Sequence, residues 1–283
     1  MTNFLYFTLG LVAILVSSLR WLRVAQREHY LPKSTCTFAI RWWRSDRENL
    51  AIFVIGFGAL LLSLFFAFGL VVTAFVALIA PRGLTIRGRT SKLAWTRRLK
   101  TVMGTSTLCI AIFIIAASLA DYGPHAAGVA ALLLPAFVDL ALWILLPIEN
   151  ALAGKYVKEA NKTLSRVNPI RVAVTGSYGK TTIKGYVHHL AASTKSVIAS
   201  PASFNNSAGL SRAVNENLSS ATEVFIAEMG AYGPGEIRAL CEWVKPSISI
   251  LASIGPVHLE RFGTLDATVK SKAEIFENSD IAI

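Results

Sequence analysis

The first half of the chain contains four long apolar stretches, and the second half alternates short apolar runs with amphipathic segments. The apolar stretches are residues 4–19, 50–80, 102–120 and 126–148. A helix needs about 20 apolar residues to cross a bilayer. The pattern therefore predicts a helical transmembrane region over residues 1–148 with about four spans. No basic segment precedes the first stretch, which favours an uncleaved anchor over a signal peptide.

The stretch 50–80 is long for one helix and short for two. Basic loops flank it: residues 20–49 contain seven Lys/Arg and three acids, and residues 81–100 contain seven Lys/Arg and no acid. Such loops are typical of the cytoplasmic side. Four simple spans would place the two loops on opposite sides. Either the stretch 50–80 re-enters on the same side, or the first loop lies outside despite its charge.

Asp139 is an acid inside the fourth apolar stretch. A carboxylate facing lipid is costly, so we expect it to mark a polar contact between helices. A transport path would need more such groups in the apolar stretches. A transporter is therefore the less favoured alternative for this half.

The composition supports a membrane protein. The chain is 53% hydrophobic and 16% charged, with a mean hydropathy of +0.51, which excludes a fully soluble, disordered or collagen-like protein. Of the net charge of +11, most lies in residues 1–148, with 14 Lys/Arg against 5 Asp/Glu. This distribution favours membrane lipid as a partner over nucleic acid. The three cysteines form no CxxC pair and are expected to be reduced thiols: Cys36, Cys109 and Cys241.

The second half has an α/β pattern. Residues 149–170 predict an amphipathic linker helix. Strands are predicted at 171–175, 196–199, 224–227 and 247–252, and helices at 181–193, 209–218, 236–244 and 266–278. This alternation predicts a P-loop-type, mostly parallel sheet with helices on both faces. Residues 280–283 resemble the start of another strand, and we expect the domain of residues 171–283 to be truncated at its C-terminus.

A glycine-containing loop between the first strand and the first helix predicts a nucleotide-binding site. Backbone N–H groups of such a loop and the helix N-terminus attract phosphate. Lys180 can reach the β- and γ-phosphates, and the Thr181 hydroxyl suits Mg²⁺. The loop has the short TGxxGKT form rather than the standard Walker A pattern. The predicted nucleotide-binding residues are Thr175, Gly176, Ser177, Tyr178, Gly179, Lys180, Thr181 and Thr182.

Four further segments carry candidate functional residues. Glu228 and His258 each follow a strand, at the sheet edge where open α/β sheets bind ligands. A carboxylate there can hold magnesium. Asn205 and Asn206 form a polar pair before a helix, which is also typical of a capping turn. In the last segment, Lys272 on a helix is expected from sequence alone to be a surface charge. Glu236 is interpreted as a helix-start charge, and His188 and His189 as structural.

The short loop and these four segments together resemble the Mur ligase family, in the branch that adds D-alanyl-D-alanine to a muramoyl tripeptide. The resemblance covers about residues 171–277. It implies an ATP- and Mg²⁺-dependent ligase of peptidoglycan precursor synthesis that joins a carboxylate to an amine through an acyl phosphate. It also implies the roles of the site residues: Lys180, Lys272 and His258 in catalysis, Thr181, Glu228, His258 and carbamylated Lys272 as metal ligands, and Asn205 and Asn206 in substrate binding.

The chain departs from that family in two places. Membrane helices stand where the family has a soluble domain for a uridine nucleotide sugar, so the substrate is either a small molecule or a lipid-linked peptide. We also expect the family's C-terminal domain to be missing, in line with the expected truncation. The alternatives are a membrane-anchored polyglutamate-synthase-like ligase and a non-catalytic, membrane-anchored nucleotide-binding protein or fragment. The expected location is a multi-pass membrane protein with a cytoplasmic ATP-binding domain.

Overall fold

The computed structural model describes residues 2–84, 93–202, 204–257 and 262–283. The chain divides into two compact units, residues 1–148 and 149–283. The first unit is helical. Its helices are α1 (Thr2–Arg27), α2 (Ser34–Ser45), α3 (Arg47–Leu62), α4 (Phe68–Ile79), α5 (Arg97–Ser118), α6 (Gly123–Leu132) and the first part of α7 (Leu134–Val167).

The apolar stretch 50–80 forms a helical hairpin. It folds as the antiparallel helices α3 and α4, and the Thr73 hydroxyl on α4 contacts the Gly56 carbonyl oxygen on α3 at 3.4 Å. Gly69 allows this close approach, because a Cβ there would collide with the carbonyl oxygen of Ala59. Small residues commonly permit such contacts between apolar helices.

The hairpin brings the two basic loops to the same end of the helical unit. The backbone N–H of Arg82 donates to Asn49 Oδ1 at 2.7 Å, and the Trp42 indole donates to the Arg82 carbonyl oxygen at 3.1 Å. Gln26 at the end of α1 exchanges two hydrogen bonds with the backbone of Ala94, at 2.7 and 3.0 Å. Both basic loops must lie at one end if residues 50–80 re-enter on the same side, and the structure has this arrangement.

Three helices of the described residues are long and apolar enough to cross a membrane, rather than about four. These are Asn3–Arg27, Arg97–Ser118 and Leu134–Val167. The expectation of a single span at 126–148 also differs from the structure, because the chain breaks at Leu133 between α6 and α7. The linker helix expected at 149–170 is the continuation of α7, which contains Pro147 and ends at Val167.

Asp139 makes the polar contact between helices that its position predicts. It is 6% exposed, and its two carboxylate oxygens accept the backbone N–H groups of Thr35 at 3.2 Å and Cys36 at 2.9 Å. These N–H groups lie in the first turn of α2, where they have no partner within the helix. Asp139 on α7 therefore caps α2 from another helix.

The second unit is built on a five-stranded parallel sheet, which confirms the predicted fold class. The strand order is β2-β3-β1-β4-β5, and every pair is parallel. The strands are β1 (Ile170–Thr175), β2 (Val197–Ala199), β3 (Val224–Glu228), β4 (Ile248–Leu251) and β5 (Ile281–Ala282). The helices are α8 (Lys180–Ala191), α9 (Ser207–Asn217), α10 (Glu236–Val244) and α11 (Leu265–Ala273), followed by a 3₁₀ helix (Glu274–Phe276).

Both faces of the sheet are packed, as expected for parallel strands. Side chains alternate along β3: Phe225 belongs to one apolar cluster and Ile226 to another. The Phe225 face packs against α9, α10 and residues 157–164 of α7. On the Ile226 face, Ile183 and Val187 of α8 pack against β1 and β3. The carboxyl ends of β1, β3 and β4 therefore meet at one edge, where α8 begins.

Candidate nucleotide-binding site

The predicted phosphate loop connects β1 to α8. Gly176 and Gly179 have φ angles of 153° and 76°, in a region that side-chain-bearing residues rarely adopt. A Cβ at Gly176 would also lie 3.0 Å from the backbone nitrogen of Ser253. The two glycines therefore let the loop curl tightly in front of the N-terminus of α8.

The loop is held by the segment that follows β4. The Ser177 N–H donates to the Ser253 carbonyl oxygen at 2.7 Å, and the Ser177 hydroxyl and the Gly255 backbone exchange hydrogen bonds at 3.0 and 2.9 Å. The Tyr178 N–H donates to the Ser253 hydroxyl at 3.0 Å. The Thr175 hydroxyl is also committed, to the Met229 carbonyl oxygen at 2.8 Å. These three predicted nucleotide-binding residues therefore shape the loop.

Lys180 is the first residue of α8 and folds back over the loop. Its ammonium donates to the Gly176 carbonyl oxygen at 2.7 Å. Burial lowers the pKa of Lys180, and the nearby charge of Glu228 partly opposes this shift. Lys180 also lines a cavity of about 60 Å³, whose wall includes Gly176, Ser177, Asn205, Gly230 and Lys272. Thr182, the last residue of the motif, is exposed on the same turn of α8.

Glu228 ends β3 and is 3% exposed. Its carboxylate accepts the Thr181 hydroxyl at 3.0 Å and lies 2.9 Å from the Lys184 ammonium. Burial alone raises the pKa of Glu228. The hydrogen bonds and charge from Lys184, together with hydrogen bonds from Thr181 and Asn205, outweigh burial and leave the pKa below its usual value.

Lys184 was not among the sequence candidates. It lies one turn after Lys180 and is 6% exposed, with its ammonium 2.9 Å from the Ser200 carbonyl oxygen as well as from Glu228. Residues four apart share a helix face. This i, i+4 relation to Lys180 was the available signal, but only the fold shows that Lys184 is buried.

Lys272 on α11 is buried, in contrast to the surface charge expected from sequence alone. It is 2% exposed and lines the same cavity as Lys180. Burial, with a smaller contribution from the charge of Lys180, lowers the pKa of Lys272 to about 8. About a tenth of the side chain is therefore a neutral amine at pH 7, far more than for an exposed lysine.

The two asparagines have different surroundings. Asn205 lines the cavity, and its side chain hydrogen-bonds to Glu228. Its backbone carbonyl oxygen accepts the Gly230 N–H at 2.7 Å. Asn206 caps α9, accepting the Gly209 N–H at 2.9 Å. His258 lies outside the described residues. Within the described part of the chain, no three His, Cys, Asp or Glu side chains gather as a metal site.

Glu274 is a second buried acid of the sheet unit, and the sequence analysis assigned it no role. Its carboxylate accepts the N–H groups of Gly235 at 2.7 Å and Arg238 at 3.1 Å, at the start of α10. Ser271 donates to the Gly233 carbonyl oxygen at 3.1 Å. These contacts anchor the helix that carries Lys272. Glu236 lies in the first turn of α10 and accepts the Tyr232 N–H at 2.8 Å, as a helix-start charge would.

The parallel sheet, the glycine loop at its carboxyl edge and the helix that starts with Lys180 are the architecture of α/β domains of the P-loop type. Comparison with known proteins narrows this class. Residues 174–283 match the family model described as "Mur ligase middle domain". This match agrees with the resemblance to the Mur ligase family that the sequence motifs predict.

Two relatives matched by sequence carry the name UDP-N-acetylmuramoyl-tripeptide–D-alanyl-D-alanine ligase. The Haemophilus influenzae protein is 35% identical, over 39% of this chain and 25% of its own length. The Rickettsia prowazekii protein is 39% identical, over 40% of this chain and 25% of its own length. The chain thus spans about a quarter of the length of these relatives. A MurF ligase from Thermotoga maritima, solved with ADP, aligns at a TM-score of 0.43 and 33% identity, covering 45% of this chain and 30% of that one.

Proposed function

We propose that this chain takes part in an ATP-dependent ligase reaction of the Mur type in peptidoglycan precursor synthesis. One observation carries the proposal: Lys180, Lys272 and Asn205 line one cavity beside the hydrogen-bonded pair of Thr181 and Glu228. The relatives' name supports a peptide acceptor and an amine such as D-alanyl-D-alanine as substrates. The chain spans a quarter of their length. The complete activity therefore also requires the protein segments that bind the acceptor and the amine.

The chemistry consists of two substitutions. An acceptor carboxylate oxygen attacks the γ-phosphorus of ATP, ADP leaves, and an acyl phosphate forms. The amine nitrogen then attacks the acyl carbon, phosphate leaves, and an amide bond remains after the nitrogen loses a proton. Catalysis of such transfers depends mainly on positioning and charge neutralisation. In this site Lys180 and the N–H groups at the start of α8 would bind and orient the phosphates.

The donor set fits a magnesium ion. A hydroxyl and a carboxylate, from Thr181 and Glu228, lie 3.0 Å apart and are hard oxygen ligands of the kind that Mg²⁺ prefers. We assign them to one ion, and His258 with carbamylated Lys272 to a second. Bound magnesium would supply charge neutralisation on the phosphate oxygens.

The environment of Lys272 supports its carbamylation. Addition of CO₂ requires a neutral amine and releases a proton, and a pKa of about 8 supplies that amine near neutral pH. The product carries a negative charge beside Lys180, which removes the repulsion between two cations. We therefore infer that carbamylated Lys272 and Lys180 form an ion pair across the cavity.

We also propose that the helical unit spans a membrane. α1, α5 and α7 would cross, while the α3–α4 hairpin enters and leaves on one side. Three crossings place the N-terminus on one side and both basic loops, together with the chain that follows α7, on the other. Basic loops mark the cytoplasmic side, so the ATP-binding unit would be cytoplasmic. Anionic lipid headgroups are the expected partners of these loops.

Phosphate release by the purified full chain in lipid nanodiscs tests the catalytic proposal. The assay contains ATP, Mg²⁺, UDP-N-acetylmuramoyl-tripeptide and D-alanyl-D-alanine, and mass spectrometry detects the peptide product. A ligase that contains this chain and binds both substrates should release phosphate only when acceptor and amine are both present. ATP binding without amine-dependent release would instead identify a membrane-anchored nucleotide-binding protein without ligase activity.

Cysteine labelling tests the membrane arrangement. In a variant with the native cysteines replaced, single cysteines at Thr2, Arg44 and Lys245 would be probed with a membrane-impermeant maleimide in intact cells. We expect labelling at Thr2 alone. Labelling of Arg44→Cys from outside would contradict the placement of the first basic loop.

A further inference from the structure

Lys184 brings a positive charge into the interior beside the candidate metal ligand. Its ammonium is 2.9 Å from Glu228 Oε2 and donates to the Ser200 carbonyl oxygen at 2.9 Å, and the residue is 6% exposed. Buried ion pairs are costly to desolvate and often stabilise no better than apolar side chains of similar size. Stability is therefore a weak reason for a lysine at this place.

The pair changes what the site attracts. Glu228 Oε2 already faces the Lys184 ammonium and the Thr181 hydroxyl hydrogen. Lys180 and Lys272 line the adjoining cavity. In the described residues no cluster of three His, Cys, Asp or Glu side chains offers a cation a site of its own. The charges of Lys184 and Lys180 thus balance those of Glu228 and a carbamylated Lys272, and they exceed that of Glu228 where Lys272 is a free amine. In both cases the site has no net negative charge that would hold a free divalent cation.

Lys184 is not placed to act as a phosphate ligand itself. Its ammonium already contacts the buried Glu228 carboxylate and a backbone carbonyl oxygen at the end of β2. Ser200 also accepts the Glu228 N–H on its hydroxyl, at 3.1 Å. The three residues thus form a closed set of contacts behind the Thr181 hydroxyl.

We propose that Lys184 is the internal countercharge of Glu228 and makes cation binding at this carboxylate conditional on the phosphates of the nucleotide. Without nucleotide, the Lys184 ammonium neutralises the charge of Glu228, so free Mg²⁺ binds weakly. The phosphates of a bound nucleotide add the negative charge that retains the metal. The metal therefore enters together with the nucleotide or after it. This inference rests on the proposed function, in which Glu228 holds a metal ion.

Binding of Mn²⁺ to the full chain without nucleotide, followed by electron paramagnetic resonance, tests the proposal. Lys184→Met removes the charge and retains a side chain of similar length. We expect this variant to bind one Mn²⁺ at least ~10-fold more tightly than the wild type, because a like charge next to the carboxylate is gone. The double variant Lys184→Met/Glu228→Gln should lose the gained site.

Two controls separate charge from packing. Lys184→Arg keeps the charge and should bind Mn²⁺ as weakly as the wild type. Lys195→Met breaks another lysine–glutamate pair of the same unit, the exposed contact of Lys195 with Glu223 at 3.0 Å, and should also leave Mn²⁺ affinity unchanged. A merely structural role for Lys184 would alter the melting temperature without creating a cation site.

Unchanged Mn²⁺ affinity in folded Lys184→Met would overturn the proposal, and so would a gained site that persists in the double variant. If Lys184→Met does not fold, Lys184→Gln, which can still donate a hydrogen bond to Ser200, is interpreted by the same criteria. Failure of the wild type to bind ATP would reject the proposed function separately, because the Mn²⁺ comparison contains no nucleotide.

Discussion

The helical unit buries Asp139 and the sheet unit buries Glu228 and Glu274, and the partners of Asp139 differ from those of Glu228. Asp139 is 6% exposed and accepts two backbone N–H groups of α2. Glu228 is 3% exposed and is surrounded by side chains, an ammonium and a hydroxyl among them. Backbone donors are part of a helix and cannot leave separately. Side-chain donors beside a cavity can be exchanged for a ligand, so the partners distinguish a structural acid from a functional one.

The largest expected effect comes from removing the cation that faces the phosphate loop. Lys180→Ala should abolish measurable ATP binding, because the loop loses its one direct charge for the phosphates. Titration with a fluorescent ATP analogue measures this, and circular dichroism checks the fold. Lys195→Ala, which removes an exposed lysine of the same unit, is the matched control. Unchanged ATP affinity in Lys180→Ala would refute the assignment of the loop.

A second, smaller effect is expected from the buried Lys272. Its pKa is about 8 in the folded protein against 10.5 when exposed, so the folded state binds fewer protons between these pH values. Stability should therefore rise with pH from about 8 to about 10.5, and the cost of the buried charge is fully present below pH 8. Thermal unfolding at a series of pH values, with CO₂ excluded so that Lys272 is the free amine, measures the rise.

Lys272→Met should lack this rise and should melt at a higher temperature than the wild type at pH 7. The matched control is Lys270→Met on the exposed side of the same helix, which should keep the pH dependence of the wild type. A wild-type profile in Lys272→Met would show that Lys272 is not the titrating group.

The smallest effect tests the structural carboxylate. Asp139→Asn keeps one acceptor oxygen and removes the other, which should cost about 1 kcal/mol, as for a helix cap. The midpoint of thermal unfolding should fall while the ATP affinity stays unchanged. Asp121→Asn, at an exposed acid of the same unit, serves as the control. Reduced ATP affinity in Asp139→Asn would contradict the assignment of Asp139 as a structural acid and Glu228 as a functional one.

Local patterns predicted the elements of the sheet unit closely. The helix 236–244 agrees at both ends, and the strands at 171–175 and 224–227 differ by one residue at one end. The agreement is close because strands and turns of this kind are determined by residues that are neighbours in the sequence. The last helix was predicted to Asn278 but ends at Ala273 in a 3₁₀ turn, where Glu274 turns to cap α10.

The site was predictable in its loop and less so in its buried lysines. A lysine in a helical pattern has the same local signature whether its ammonium faces water or a carboxylate from another strand. Lys184 and Lys272 are buried because β3, the loop that contains Asn205 and the turn before α10 close over them. Ser200 and Glu228 lie 16 and 44 positions from Lys184, and Gly230 and Asn205 lie 42 and 67 positions from Lys272, beyond the reach of helical periodicity.

By itself the sequence determined that an apolar helical half precedes a parallel α/β domain with a phosphate loop, because hydrophobic periodicity and glycine spacing are local properties. Only the tertiary structure decided that residues 50–80 turn back as a hairpin, that Asp139 caps a distant helix, and that Lys184 neutralises Glu228. Each of these depends on which groups meet after folding. Burial and charge pairing depend on contacts between segments that are distant in the sequence, and not on any single segment.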